Sequence, residues 1–237
     1  MSEDKYFNFP IIMLKGFLLK PKVVLNNILD YAIYANFDKN IEYYQDDEEG
    51  INSSMEYFSV SGDAGIICQN GLEQYEAYRY AKVKVGIRSG MFWDYFKNSK
   101  TEFQLVCLLA HIAIRSILQN KSYCKIDNAF LFSRMAGFEK SLKGWDIEKI
   151  PDSLRKYMIP YRVRKIKSEL VNDWKLKTYS RYTRGFYVSY KMSLEDLIYQ
   201  AEKRRKSTKE KQQKKAQNDA LKKVMKRIEN DNKNDNL

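Results

Sequence analysis

Few residues in this chain can interrupt a helix. Ten glycines and four prolines in 237 residues are about half the usual share, and these residue types form tight turns and end helices at least cost. A turn-rich sandwich or a collagen-like chain does not fit such a shortage. The expected class is mainly α, as an α+β fold with a helical N-terminal region. Apolar residues make up 44%, enough to fill the core of one domain or of two small ones.

Hydrophobic spacing gives the element order. After YFNFP and an apolar segment from Ile11 to Leu19, Pro21 suits a first helical turn. Val24, Leu25, Ile28, Leu29, Ala32 and Ile33 then recur at helical spacing to Tyr34. The acidic DDEEG at 46–50 and the NSS at 52–54 read as a loop or poorly ordered excursion. Ile66 and Ile67 lead into the tyrosine-rich GLEQYEAYRY. In AKVKVGI, Val83, Val85 and Ile87 alternate with Lys82, Lys84 and Gly86, the period of a half-buried strand.

MFWDYF reads as a short helix. Thr101 and Gln104 have capping-box spacing and open a long helix with Phe103, Val106, Cys107, Ala110, Ile114, Ile117 and Leu118 as its buried stripe. SYCKI is a brief extended piece, and Asp127 caps a helix ended by Gly137. Residues 139–160 form an insertion with a short helix after Pro151. Beyond it Val163, Ile166, Leu170 and Trp174 share one helical stripe, while Tyr161, Arg164, Lys165, Ser168 and Asn172 point the other way. KLKTYSRYTRGFYVSYKM is a hairpin of two alternating strands joined around Thr183, Arg184 and Gly185. Ser193 and Asp196 then cap a last helix that runs into a lysine-rich tail.

Charge is distributed unevenly along this order. The total is +12, yet residues 1–100 carry −3 and residues 152–227 carry +15. Unbalanced lysine and arginine attract phosphate whatever the fold. The reading therefore divides the chain into an N-terminal helical region with an acidic loop (1–80), a basic domain (81–200) and a basic helical or disordered tail (201–237).

From AKVKVGI onward the order is strand, helix, short strand, helix, helix, hairpin and closing helix, with a short spacer between the first strand and the long apolar helix. It is similar to the winged helix-turn-helix DNA-binding domain, and the segment from AKVKVGI to RSILQ resembles the entrance to that domain in plasmid and phage replication initiators. The resemblance covers about residues 81–200 and rests on element order. The family joins its second and third helices by a short turn, whereas about twenty residues intervene here.

The resemblance implies a recognition helix from Tyr161 to Trp174 lying in a major groove. Arg164, Lys165, Ser168 and Asn172 would then reach base edges or nearby phosphates. Lys175 and Lys177 would take phosphates, and Arg181 and Arg184 near the hairpin tip would meet a flanking minor groove or the backbone. The polybasic tail would add unspecific phosphate attraction. Taken without the resemblance, the same cationic face is simply a solvated one.

Little catalytic chemistry is visible. His111 is the only histidine, which excludes HExxH zincins and the paired-histidine centres of rolling-circle nicking enzymes. Cys107 and His111 stand one helical turn apart, with Cys124 and Cys68 elsewhere. The apolar helix between them and the lack of a CxxC favour core packing over a zinc set. Neither GxxxxGK[ST] nor GxGxxG occurs. Asp46, Asp47, Glu48 and Glu49 are a contiguous solvated run rather than a convergent magnesium site. Tyr182 and Tyr187 flank the hairpin tip, but the arginines and histidine of a recombinase are not recognisable around them. No metal, cofactor or catalytic residue is expected. The 18 tyrosines suit the boundary between core and water better than base stacking.

Three cysteines without framework spacing suit reduced thiols. The longest apolar run, around LVCLLA, is far shorter than the roughly 20 residues of a membrane span, and MSEDKY lacks a basic leader segment. A soluble cytoplasmic protein without a membrane partner is expected. The leading functional expectation is a nonenzymatic binder of double-stranded DNA, a replication initiator or transcriptional regulator of a mobile element. An RNA or single-strand binder stands second. A protein-interaction module, such as an inhibitor or scaffold, stands third. The N-terminal region leaves room for a homodimer or another protein partner.

Overall fold

The computed structural model describes residues 5–180 and 185–234, with side chains to residue 225. YFNFP forms strand β1 (Tyr6–Pro10), which pairs antiparallel with β2 (Lys84–Arg88). Because strand side chains alternate, Phe7, Phe9, Val85 and Ile87 enter the core, and Tyr6, Asn8, Lys84 and Arg88 share the outer face. The expected strand is present, and its partner lies more than seventy residues upstream.

Between these strands come α1 (Pro21–Lys39), α2 (Asp47–Phe58) and α3 (Ala64–Tyr78). Helix α1 has Pro21 at its first turn, as its sequence predicts, and packs along α3. Gly71 makes that approach close: a Cβ there would lie 2.7 Å from the carbonyl oxygen of Asp30. Desolvation in this contact pushes the Asp30 carboxyl up to about 6, against an opposing hydrogen bond with Asn70.

The acidic segment 46–54 is helix rather than loop. Asp46 is its N-cap, accepting from the Glu49 N–H at 2.8 Å, and Asp47, Glu48 and Glu49 fill the first turn, where the helix dipole favours negative charge. Ile51, Met55 and Phe58 follow at helical spacing and are buried. The acidic run thus marks a helix start.

Helix α4 (Ser89–Lys97) leads to the central helix α5 (Glu102–Leu118), opened by the predicted capping box of Thr101 and Gln104. Helix α5 is buried over more than the predicted stripe, because Leu108, Leu109, Ile112 and Ala113 are covered as well. The chain continues through β3 (Cys124–Ile126) and α6 (Asn128–Met135). Asp127 accepts from the Phe130 N–H at 2.7 Å, and Gly137 ends the segment at φ +81°. The insertion holds a 3-10 turn (Gly144–Lys149) and the short α7 (Asp152–Arg155). Next come α8 (Pro160–Asn172), β4 (Lys177–Tyr179), β5 (Phe186–Ser189) and α9 (Leu194–Asn234).

The second sheet is antiparallel, in the order β3-β5-β4. Gly185 at φ +87° permits its close packing, since a Cβ there would overlap the Ile126 carbonyl oxygen. The alternation expected in β5 does not appear as exposure. All four residues from Phe186 to Ser189 are buried, because the start of α9 places Leu197 and Ala201 against Tyr187.

One apolar cluster joins Phe7, Ile28, Ala110, Phe132, Ile166 and Val188, so the N-terminal helices and the C-terminal elements share a core. Helix α9 spans about 60 Å at 1.5 Å per residue. Beyond Glu202 its side chains are exposed as far as Met225. Among the described residues no helix is long and apolar enough to cross a membrane.

Candidate nucleic-acid interface

Helix α8 begins at Pro160, whose fixed φ suits the first helical turn. Val163, Ile166 and Leu170 are buried against the core, which turns the opposite face outward. Tyr161, 67% exposed, and Arg164, Lys165, Ser168 and Asn172 all lie on this exposed face, where the sequence puts them. They form a row about 17 Å long from Tyr161 to Asn172.

The four cations of α8 are not equivalent. Arg162 donates to the Lys156 carbonyl at 2.9 Å and lies over the Tyr157 ring. Lys165 reaches back over Phe103, 4.9 Å from the ring centre. Lys167 turns inward, 3.5 Å from the Phe186 ring centre, and burial pushes its ammonium down to about 8. Arg164 makes no hydrogen bond, ion pair or ring contact among the described residues. Its side chain is exposed on the outer face.

Lys175 and Lys177 extend the row past the end of α8, and both are exposed. Lys175 adopts φ +57°, a left-handed conformation uncommon outside glycine, and the turn is closed by the Leu176 N–H donating to the Leu170 carbonyl at 3.0 Å. Arg181 and Arg184, predicted for the hairpin tip, lie outside the described residues, as does Tyr182. Tyr187 is buried beneath α9.

Beside Lys175 a cleft of about 670 Å³ opens between α4, α5 and the end of α8. His111 is in its wall, buried, with Nδ1 2.7 Å from the Tyr190 hydroxyl and its ring 4.6 Å from that of Trp174. Burial, reinforced by Arg115 and Arg88, pushes the imidazole down to about 3. Burial pushes the Cys107 thiol up to about 12. Both side chains are buried in the packing around α5. Among the described residues no three histidine, cysteine or acidic side chains gather as a metal site would require. The remaining lining is of mixed sign: Asp94, Glu169 and Asp173 face Lys100, Arg115 and Lys175, and Asp94 is tied to Lys100 at 2.6 Å.

Cations outside the predicted set line a second cleft that shares Arg88, Arg115 and Tyr190 with the first. Its Lys82 and Lys84 are the polar half of the AKVKVGI alternation, a signal present in the sequence but hidden when residues 1–100 are summed to −3. No protein-family model, curated protein sequence or solved structure matches this chain.

Proposed function

We propose that this protein is a nonenzymatic binder of double-stranded DNA that presents α8 to the major groove. The observation that carries the reading is the exposed, cationic outer face of α8, held by a buried stripe beside a three-stranded sheet. Helix α5, β3, α6, α8 and the β4–β5 hairpin follow one another in the order of a winged helix-turn-helix domain, and the sheet order β3-β5-β4 suits that topology. In this reading α6 and α8 are the paired helices, with the 3-10 turn and α7 lengthening their connection. Arg164 can fork to guanine and Asn172 to adenine. Lys165, Lys175 and Lys177 neutralise phosphates, and Arg181 and Arg184 are proposed for the hairpin's contact. A role in replication initiation or transcriptional control of a mobile element is the biological setting that such a domain suits.

Selection from a random duplex library, followed by a salt titration on the winning site, tests this. About six neutralised phosphates give a log–log affinity slope near −5. Absence of binding to any duplex, or affinity indifferent to salt, overturns the reading. One observation favours a single-strand binder as the second reading: Trp145, 90% exposed in the insertion before α8, is available for base stacking. Preference for oligothymidylate over the selected duplex, lost in Trp145→Ala, would establish that alternative.

A further inference from the structure

On the far side of Tyr190 from α8, a cleft of about 900 Å³ lies between the β1–β2 sheet and the C-terminal end of α5. Strand alternation builds one wall. With Phe7, Phe9, Val85 and Ile87 facing the core, Tyr6, Asn8, Lys84, Gly86 and Arg88 are sent to the cleft side. The other wall comes from an unusual chain reversal. Gln119 caps α5 at φ +48°, and the Lys121 N–H returns to the Leu118 carbonyl at 2.8 Å, which brings Gln119, Asn120 and Lys121 to the cleft. A non-glycine residue held in this conformation is the sort of local strain that functional sites retain.

The cleft carries a single sign of charge. Lys82, Lys84, Arg88, Arg115, Lys121 and Lys191 line it, and among the described residues no aspartate or glutamate does. Lys84, Lys121 and Lys191 enter no ion pair among the described residues. Arg88 Nε donates to the Tyr6 hydroxyl at 3.1 Å, and the Arg115 guanidinium lies 5.4 Å from the Tyr6 ring centre. The two guanidiniums therefore have a fixed position around one phenol. The carboxyl end of α5 opposes an anion with about half a negative charge, which the surrounding lysines and arginines outweigh. A low-dielectric recess lined by one sign focuses its field on whatever enters.

We infer that this cleft binds a chain of phosphates, with Lys82, Lys84, Arg115, Lys121 and Lys191 neutralising it. The same chemistry is offered by a nucleic-acid backbone and by free polyphosphate. The nucleic-acid source rests on the function proposed above; the site itself does not. A bilayer's headgroups lie on a broad surface and suit a recess poorly.

The test uses the full chain as wild type, as Lys84→Gln with Lys121→Gln, and as Arg164→Gln with Lys165→Gln. The cleft substitutions change exposed side chains without ion-pair partners, and thermal unfolding checks that the fold is kept. Each protein is titrated with inorganic tripolyphosphate by calorimetry and with a duplex pool by fluorescence anisotropy at several salt concentrations. The cleft variant is expected to bind tripolyphosphate about tenfold more weakly and to flatten the duplex salt slope by about 1.8, for two phosphates. The α8 variant is expected to keep its tripolyphosphate affinity. Unchanged tripolyphosphate affinity together with an unchanged slope in the cleft variant overturns the inference while leaving duplex binding intact. Wild type that binds tripolyphosphate but no duplex, with binding lost in the cleft variant, supports the site with free phosphate chains as its source and removes the DNA reading. Wild type that binds neither removes both.

Discussion

The outer face of α8 and the β2–α5 cleft are both cationic and differ in nearly everything else. The α8 face is convex, made by one continuous segment, and carries Arg164, Ser168 and Asn172, side chains able to discriminate base edges. The cleft is concave, built from four separate stretches of chain, and dominated by lysine. Lysine is a point charge on a flexible stem, whereas arginine and asparagine offer fixed, directional donors. Under the proposed readings, the first surface would supply sequence discrimination and the second unspecific phosphate attraction. His111 lies between them, joined to Trp174 at the end of α8 and to Tyr190 at the cleft.

The largest expected effect tests whether α8 and the hairpin depend on β3 as a support. Gly185→Ala combines a strained φ with overlap on the Ile126 carbonyl and is expected to cost about 3 kcal/mol in urea denaturation. An unchanged midpoint would mean that the hairpin is not held against β3. Next is the element between the two regions. The ordinary histidine value is 6.5 and folded His111 is held near 3, so between those values the unfolded chain takes up a proton that the folded chain refuses. Its contribution to stability is complete above pH 6.5 and is lost as pH falls toward 3. His111→Gln should flatten the decline between pH 6.5 and 4 by about 3 kcal/mol relative to wild type; parallel stability curves for the two proteins would show that His111 titrates normally.

Arg164→Ala should cost about 1.5 kcal/mol on the selected duplex and relax the preference at one base position. A uniform loss over all sequences would reduce α8 to a phosphate-binding surface like the cleft. The smallest effect concerns the turn where the first cleft meets α8. Lys175→Gly relieves the φ of +57° and should raise stability by about 0.5–1 kcal/mol, while lowering the duplex salt slope by about 0.9. A slope that does not move would remove Lys175 from the interface.

How far each region could be read from the sequence follows from the range of its signals. The exposed residues of α8 are separated by three or four positions, so the 3.6-residue period alone finds them. The Thr101–Gln104 box, the Asp127 cap and the Ser193–Asp196 pair are similarly local and occur where expected. The segment 46–54 was misleading because an acidic run reads as solvated loop, although Asp46 and the three acids after it suit a helix start. Buried β5 was misleading because the covering residues, Leu197 and Ala201, belong to α9. The cleft is the extreme case. Its lysines belong to segments as distant as Lys82 and Lys191, and the N-terminal acids that cancel them in a sum lie elsewhere in space.

The sequence by itself determined α1, α4, α5, α6 and α8, the caps at Thr101, Asp127 and Ser193, the hairpin strands and the outward row from Tyr161 to Asn172, because each depends on neighbours within a turn or two. Only the tertiary structure decided that β1 pairs with β2, that α5 is enclosed nearly all round, that Lys167 turns inward and that a one-sign cleft exists. Those outcomes depend on which distant surfaces exclude water from one another, and a linear pattern carries no measure of that.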